Sequence, residues 1–335
     1  MKPLSLVCLC CLLLMATACR QQTEDTADGR KRLTIAVIPK GTTHEFWRSI
    51  EAGARKAEQE LNASGTPVQI IWKGPLREDD RDLQIQVVEN FMARKVDGIV
   101  LAPLDSQALV APVENATKAG VPVVIMDSDL KSDQYVSFVA TDNYKGGQLA
   151  GDHLGKLLNG TGDVILLRYA VGSASTEARE AGFLDALTNR HPAIKLLSDD
   201  QHAGPTRETA YQASQNLLNR YGAEADGIFC PCEPPTIAMA MALRDLGKAG
   251  GAIKMVGFDA GSKSVEDLKN GDLQALVVQD PVRMGYLGVM TLVEHLQGKP
   301  VEKRIDTGVH LVTRDNMEDP EISELLNPPI DQYLK

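Results

Sequence analysis

No stretch of this sequence carries enough lysine and arginine to cover a nucleic-acid backbone. The longest basic run is Arg30-Lys31-Arg32, and 45 acidic residues against 35 basic ones leave a formal charge of −10. Neutralising a phosphate polyanion needs a basic face, so DNA and RNA are excluded as partners. Apolar runs are short as well: the block at residues 4–15 falls below the roughly 20 residues that a membrane-spanning helix requires. Hydrolase signatures are missing too. There is no G-x-S-x-G elbow and no H-E-x-x-H helix, and His153, His191, His202, His295 and His310 are scattered over apparent helices, loops and tail. Cysteine is scarce: beyond Cys8, Cys10 and Cys11 only Cys19, Cys230 and Cys232 remain. Cys230 and Cys232 flank Pro231 at an extended strand end, which points them to opposite faces and makes a disulfide between them strained. No second cysteine pair or nearby histidine pair completes a metal-ligand set, so neither metal nor cofactor is expected.

What is present at the start is a leader. Lys2, the apolar block and then Ala16-Thr17-Ala18 have the charge, length and small-residue exit of a secretory signal. Ordinary cleavage after the A-x-A site competes with a bacterial lipobox, in which Cys19 becomes the lipidated first residue. Ala16 stands where a lipobox has leucine, yet lipidation is favoured because it leaves no free thiol at the N-terminus. The expected location is therefore the periplasm or cell envelope, anchored by lipid, with a soluble periplasmic form as the alternative. Residues 20–29 are polar and aperiodic and read as a tether.

At 335 residues the chain is long enough for two cores. The organising unit is a short, fully apolar run that stops at a polar residue. Residues 121–127 end in Asp127, 99–102 lead into Asp105, 227–230 run into Glu233, and 255–258 end in Asp259. Helical patterns follow at 50–61, 83–91, 107–118, 144–158, 177–187, 206–218, 236–246, 264–269 and 285–296. Further strands are read at 33–38, 68–72, 136–140, 164–167, 194–197 and 273–278, with one extended segment at 305–312 and a polar, Pro-rich tail from Thr313. Strands alternating with helices imply right-handed parallel crossovers, and ligands of such sheets sit at the carboxyl ends of the strands. Gly160 and Gly162 precede a strand instead of linking a strand to a helix, so they do not make a nucleotide loop.

The set His44-Glu45-Phe46-Trp47, the 121–127 run, Thr141-Asp142-Asn143 with Gly146-Gly147, Gly172-Ser173 through Arg179 to Gly182-Phe183, Val256-Gly257-Phe258-Asp259 and Gln279 resembles the periplasmic sugar-binding proteins of the ribose-binding type. The resemblance covers about residues 33–312. It implies an α/β fold of two Rossmann-like lobes with parallel sheets, joined by a three-strand hinge crossing near Ala140, Gln279 and Gly308. The expected division is 1–18 leader, 19–31 tether, 32–140 with 280–308 as the first lobe, and 141–279 with 309–335 as the second lobe and tail. DNA-binding repressors of this fold carry a helix-turn-helix at their start, where this chain has an export signal.

Residue by residue, the resemblance implies that Phe46 and Trp47 stack on a sugar ring, removing its C–H face from water. Asp127 is the strand-end acceptor for two hydroxyls, Arg179 binds from the second lobe, and Asp259 and Gln279 supply the other acceptor and amide. Lys40, in the turn after the first strand, completes the ligand-binding set. Four positions depart from the ribose pattern: His44 replaces Asn, Ser128 replaces Arg, Cys232 replaces Asn, and the region around Pro205 lacks the second stacking aromatic, for which Trp72 is the stand-in. These changes argue against ribose itself. The expected function is capture of a small sugar or polyol and delivery to the permease of an ABC importer by a monomer. A sensory module presenting a closed lobe pair to a receptor is the alternative. A sugar-processing enzyme is disfavoured, because strong partners beside Asp127 and Asp259 keep both ionised whereas a general acid needs a raised pKa.

Overall fold

A computed structural model of the chain describes residues 31–334. The leader, Cys19 and the tether to residue 30 lie outside the described residues. The first sheet gathers β1 (Leu33–Ile38), β2 (Val68–Trp72), β3 (Gly98–Leu101), β4 (Val123–Met126) and β5 (Ser137–Ala140), interleaved with α1 (Glu45–Ala63), α2 (Arg81–Ala93) and α3 (Val110–Lys118). The second repeats the plan. After α4 (Asn143–Leu157) come β6 (Thr161–Leu166), α5 (Ala174–Arg190), β7 (Ala193–Ser198), α6 (Arg207–Tyr221), β8 (Gly227–Phe229), α7 (Glu233–Asp245), β9 (Lys254–Phe258), α8 (Ser262–Asn270) and β10 (Ala275–Gln279). The chain then returns through α9 (Pro281–Leu296) and β11 (Arg304–Asp306) to the first sheet, and through β12 (Val309–Val312) and α10 (Pro320–Leu326) to the second. The strand orders are β11-β5-β4-β3-β1-β2 and β12-β10-β9-β8-β6-β7. All pairings are parallel except β10 with β12.

Period-two alternation distributes each strand between two helical layers. On β1, Ile35 and Val37 pack with Ile50 and Ala54 of α1 and Val289 of α9, while Ala36 and Ile38 pack with Val88 of α2 and Val113 of α3. Both faces being covered, these strands read as continuous apolar runs.

Each lobe contains one helix pair in backbone contact. A methyl group on Gly53 would lie 1.9 Å from the Val282 carbonyl oxygen, and one on Gly285 2.1 Å from that of Ile50, so α1 and α9 touch backbone to backbone. In the other lobe Gly147 meets the Arg179 carbonyl at 1.9 Å and Gly182 that of Tyr144 at 2.0 Å, which seats α4 against α5. Backbone atoms cannot rotate away. Gly53→Ala and Gly285→Ala are each expected to cost at least about 1–3 kcal/mol, the range for overpacking, read as a lower denaturant midpoint at unchanged m-value.

The structure corrects three readings. Residues 305–312 are not one segment: β11 pairs with β5 and β12 with β10, and the break falls at Thr307 and Gly308, the latter at φ +91°, where glycine carries no Cβ penalty. The tail is not merely polar, since Met317, Ile322 and Leu326 are buried in the second lobe's core. Helices also begin earlier than periodicity indicates, at Glu45, Ala174, Glu233 and Pro281. Pro234 and Pro235 sit in the first turn of α7, where the missing N–H groups cost nothing.

Candidate ligand-binding cleft

The central strand of each lobe ends in an aspartate forced into the left-handed region, Asp127 after β4 at φ +61° and Asp259 after β9 at φ +69°. Few non-glycine residues adopt this conformation, and asparagine and aspartate do so most readily. In both, the backbone N–H still pairs with the neighbouring strand, Asp127 with Val139 and Asp259 with Val277. The ladder holds each residue in place and the turn of chain delivers its carboxylate to the space between the lobes, which both line.

Lys40, just past β1, is buried, and its Nζ lies 2.9 Å from Asp127 Oδ2. The contact is an ion pair without hydrogen-bond alignment, so Oδ2 keeps a lone pair to offer. The same ammonium donates to Ser175 Oγ at 2.9 Å and Ser173 Oγ at 3.3 Å on the opposite lobe. Arg179, 2% exposed, donates from Nε to Asn143 Oδ1 at 2.8 Å and from one terminal nitrogen to the Pro231 carbonyl at 2.9 Å. Its guanidinium lies 3.9 Å from the centre of the Phe258 ring and 3.9 Å from Asp259. Asp259 also accepts from Gln279 Nε2 at 2.7 Å and from the Glu233 N–H at 3.0 Å. Burial nonetheless pushes its carboxyl upward against the pull of Arg179 and Gln279. The expectation that its partners hold Asp259 down is therefore corrected: desolvation is the larger effect.

The aromatic pair is unequal. Trp47 is 2% exposed, packs into the first lobe's core and meets the more open Phe46 edge to face at 5.1 Å. Its Nε1 donates to Glu78 Oε1 at 2.7 Å. His44 Nδ1 lies 2.7 Å from the same oxygen, and the Tyr169 hydroxyl donates to the other oxygen at 2.9 Å. Burial opposes charge on His44, but the Glu78 carboxylate outweighs it and raises the imidazole above its ordinary value. Burial likewise works to raise Glu78, and the His44, Lys40 and Trp47 partners overcome it and hold the carboxyl at about 2.

Lys40, His44, Phe46, Trp47, Asp127, Arg179, Cys232, Asp259 and Gln279 therefore converge on one cleft. Ser128 stands behind it: fully buried, its Oγ accepts from the Ser175 N–H at 3.0 Å and so joins the lobes. Cys232 is a wall, with burial driving its thiol well above the ordinary range. Trp72 is a correction. It is half-buried and packs against the first lobe's core, outside the cleft lining. β2 lies at the sheet's far edge, so its end does not reach the gap. The aromatic from the second lobe is Tyr169 instead.

Glu78, Tyr169, Thr176, Ser175 and Pro234 line the cleft without having been singled out from sequence, and Glu233, read there only as the polar end of the 227–230 run, lines it too. Glu78 sits in the run Glu78-Asp79-Asp80, which reads as solvated charge, and Tyr169 lies past a strand end in a loop without periodicity. The lobes are closed on one another. Besides the Lys40 and Tyr169 bonds, the Phe46 N–H donates to Glu233 Oε2 at 3.3 Å, the Ser106 N–H to the Gly172 carbonyl at 2.9 Å, and the Ser262 N–H to Glu45 Oε2 at 2.8 Å. The enclosed space is about 30 Å³, room for two or three waters. A sugar ring enters only when the lobes part.

Among the described residues no helix is long and apolar enough to cross a membrane, and no cluster of His, Cys, Asp and Glu is arranged to hold a metal. A family model described as a periplasmic binding protein domain matches residues 35–300. The D-ribose/D-allose-binding protein of Pseudomonas aeruginosa is 29% identical over 297 residues, covering 86% of this chain and 91% of that one. Among solved structures, a carbohydrate transporter solute-binding protein from Agrobacterium radiobacter in complex with D-arabinose superposes with a TM-score of 0.83 at 34% identity, covering 88% of this chain and 99% of that one. An ABC transporter solute-binding protein from Agrobacterium vitis with bound D-fucose gives 0.82 at 36% identity, with the same coverage of 88% and 99%.

Proposed function

The chain belongs to the periplasmic binding protein domain family, and we propose that the solute it captures between its lobes is an uncharged monosaccharide or close polyol, which it hands to the permease of an ABC importer. The observation that carries the ligand class is the surplus of buried acceptors. Gln279 Oε1 is buried without a hydrogen-bond partner among the described residues, Asp127 Oδ2 meets only the Lys40 ammonium and outside hydrogen-bond alignment, and Asp259 stands beside them. A buried acceptor left unpaired costs about 1–3 kcal/mol, which a ligand rich in hydroxyl donors recovers on binding. An anion would meet Asp127, Asp259 and Glu233. Lys40 and Arg179 are already engaged, by Asp127 on one side and by Asn143 and Pro231 on the other. The similar proteins hold D-arabinose and D-fucose, both neutral sugars, which supports the same class here.

The ligand class is tested by a thermal-shift screen against pentoses, hexoses, polyols, amino acids and nucleosides. A ligand at 100 times its dissociation constant adds about 2.7 kcal/mol, so a clear upward shift with a sugar or polyol is expected. A shift with an amino acid or nucleoside alone refutes the reading. The protein acts as a monomeric binder and not as an enzyme on this account, with Cys19 as its lipid anchor; labelled palmitate should mark the wild type and not Cys19→Ala.

A further inference from the structure

We propose that Glu78 is the positioning residue of the cleft: one carboxylate orients His44 and Trp47 from the first lobe, grips Tyr169 of the second only when the lobes close, and leaves His44 Nε2 as the ring nitrogen available to the ligand. The proposal rests on the reading of this cleft as the ligand site. Three donors converge on two oxygens, His44 Nδ1 at 2.7 Å, Trp47 Nε1 at 2.7 Å and Tyr169 OH at 2.9 Å. The first two come from the start of α1 and the third from the loop after β6. None of these bonds is needed to build either sheet, and each fixes a side chain that lines the cleft. With Nδ1 committed to Glu78, the imidazole has Nε2 left to meet a ligand, as a donor while the ring is protonated. A ligand oxygen offering a lone pair is its natural complement, and a ligand presenting a C–H there is disfavoured.

The charge arrangement agrees. The groups that act on His44 are Glu78 from the loop before α2, Glu233 from α7 and Arg207 from α6, with burial opposing its charge and the two carboxylates outweighing burial. Because the folded pKa of His44 lies above its unfolded value of 6.5 and that of Glu78, at about 2, lies below its unfolded value of 4.5, the pair contributes fully between those two unfolded values; the contribution is lost as pH rises through the folded His44 value and as it falls toward about 2. Glu78→Gln removes the larger of the two opposing charges and leaves Glu233 alone against burial, so the His44 pKa should fall from its wild-type value.

The test reads the ligand-free protein by NMR. His44→Gln identifies the His44 ring signal among the six histidines, and the two tryptophans give two indole N–H signals. In the wild type His44 should titrate above its ordinary value, and the Trp47 indole proton should be shifted downfield and slow to exchange. Glu78→Gln should lower the first and move the second upfield. Tyr169→Phe keeps the ring and should leave both near their wild-type positions while enlarging the radius of gyration, because one of the bonds that hold the lobes together is lost. His44 titrating at or below its ordinary value in both wild type and Glu78→Gln overturns the proposal, as does a Tyr169→Phe protein whose radius is unchanged. Titration with D-fucose and D-arabinose separates the two readings: no binding by the wild type counts against the sugar class, and the resonances still decide Glu78.

Discussion

Arg179→Met is expected to abolish ligand capture and to destabilise the protein by about 3–5 kcal/mol, the cost of breaking a buried charge network by removing one partner. Methionine keeps much of the aliphatic volume, so the loss is chiefly electrostatic. It strands Asn143 Oδ1 and the Pro231 carbonyl, both of which accept from the guanidinium, and it takes from Asp259 the cation that opposes its desolvation. It also removes the contact with the face of Phe258 at 3.9 Å, worth about 2 kcal/mol when desolvated. The surface pair of Arg304 with Asp129 is the contrast: Arg304 is 62% exposed at its side chain, and its removal should be worth less than about 1 kcal/mol. Chemical denaturation and calorimetric titration of both variants check this. An Arg179→Met protein within 1 kcal/mol of wild type that still binds would mean the cation is a bystander.

Asp127 separates backbone from side chain. Both Asp127→Gly and Asp127→Ala delete the carboxylate and leave Lys40 buried beside Ser173 and Ser175 without its ion-pair partner. Binding should fall at least about 30-fold in either, since losing one partner of a buried charge pair costs about 2–5 kcal/mol. Their stabilities should differ. At φ +61° glycine is unstrained whereas alanine carries the left-handed penalty, so the glycine variant should be the more stable by about 1–2 kcal/mol. Strain of this kind persists where the surrounding structure demands it, and here the demand is a carboxylate aimed between the lobes. Asp127→Gly retaining wild-type affinity would remove Asp127 from the site.

The parts of the molecule that sequence discloses are those governed by local rules. Short buried runs ending in Asp127 and Asp259 announce themselves because a strand covered on both faces tolerates no polar residue until it stops. The features it conceals depend on what lies opposite. Glu78 looks like one more surface acid until His44, Trp47 and Tyr169 are folded around it. Glu233 is visible as the polar residue after the 227–230 run, but its place in the first turn of α7 is not, because that helix starts three residues before the periodic stretch. Trp72 misled for the opposite reason: aromatics are rare in this chain, and rarity drew attention to a side chain whose edge strand keeps it from the cleft. The resemblance supplied Arg179, which its acidic neighbours Glu177 and Glu180 make indistinguishable from a solvated helix charge. In the fold Glu180 turns away to bond Arg168 and the Tyr169 N–H, and Arg179 faces inward alone.

A crystal structure of the wild-type protein grown with the sugar or polyol that gives the largest thermal shift tests the central claim most directly. The account predicts one ring or polyol chain between the lobes, against Phe46, with hydroxyls within hydrogen-bond distance of Asp127, Arg179, Asp259 and Gln279. Ligand density on the outer surface, or inside the cleft but with these four side chains bonded only to one another, contradicts it.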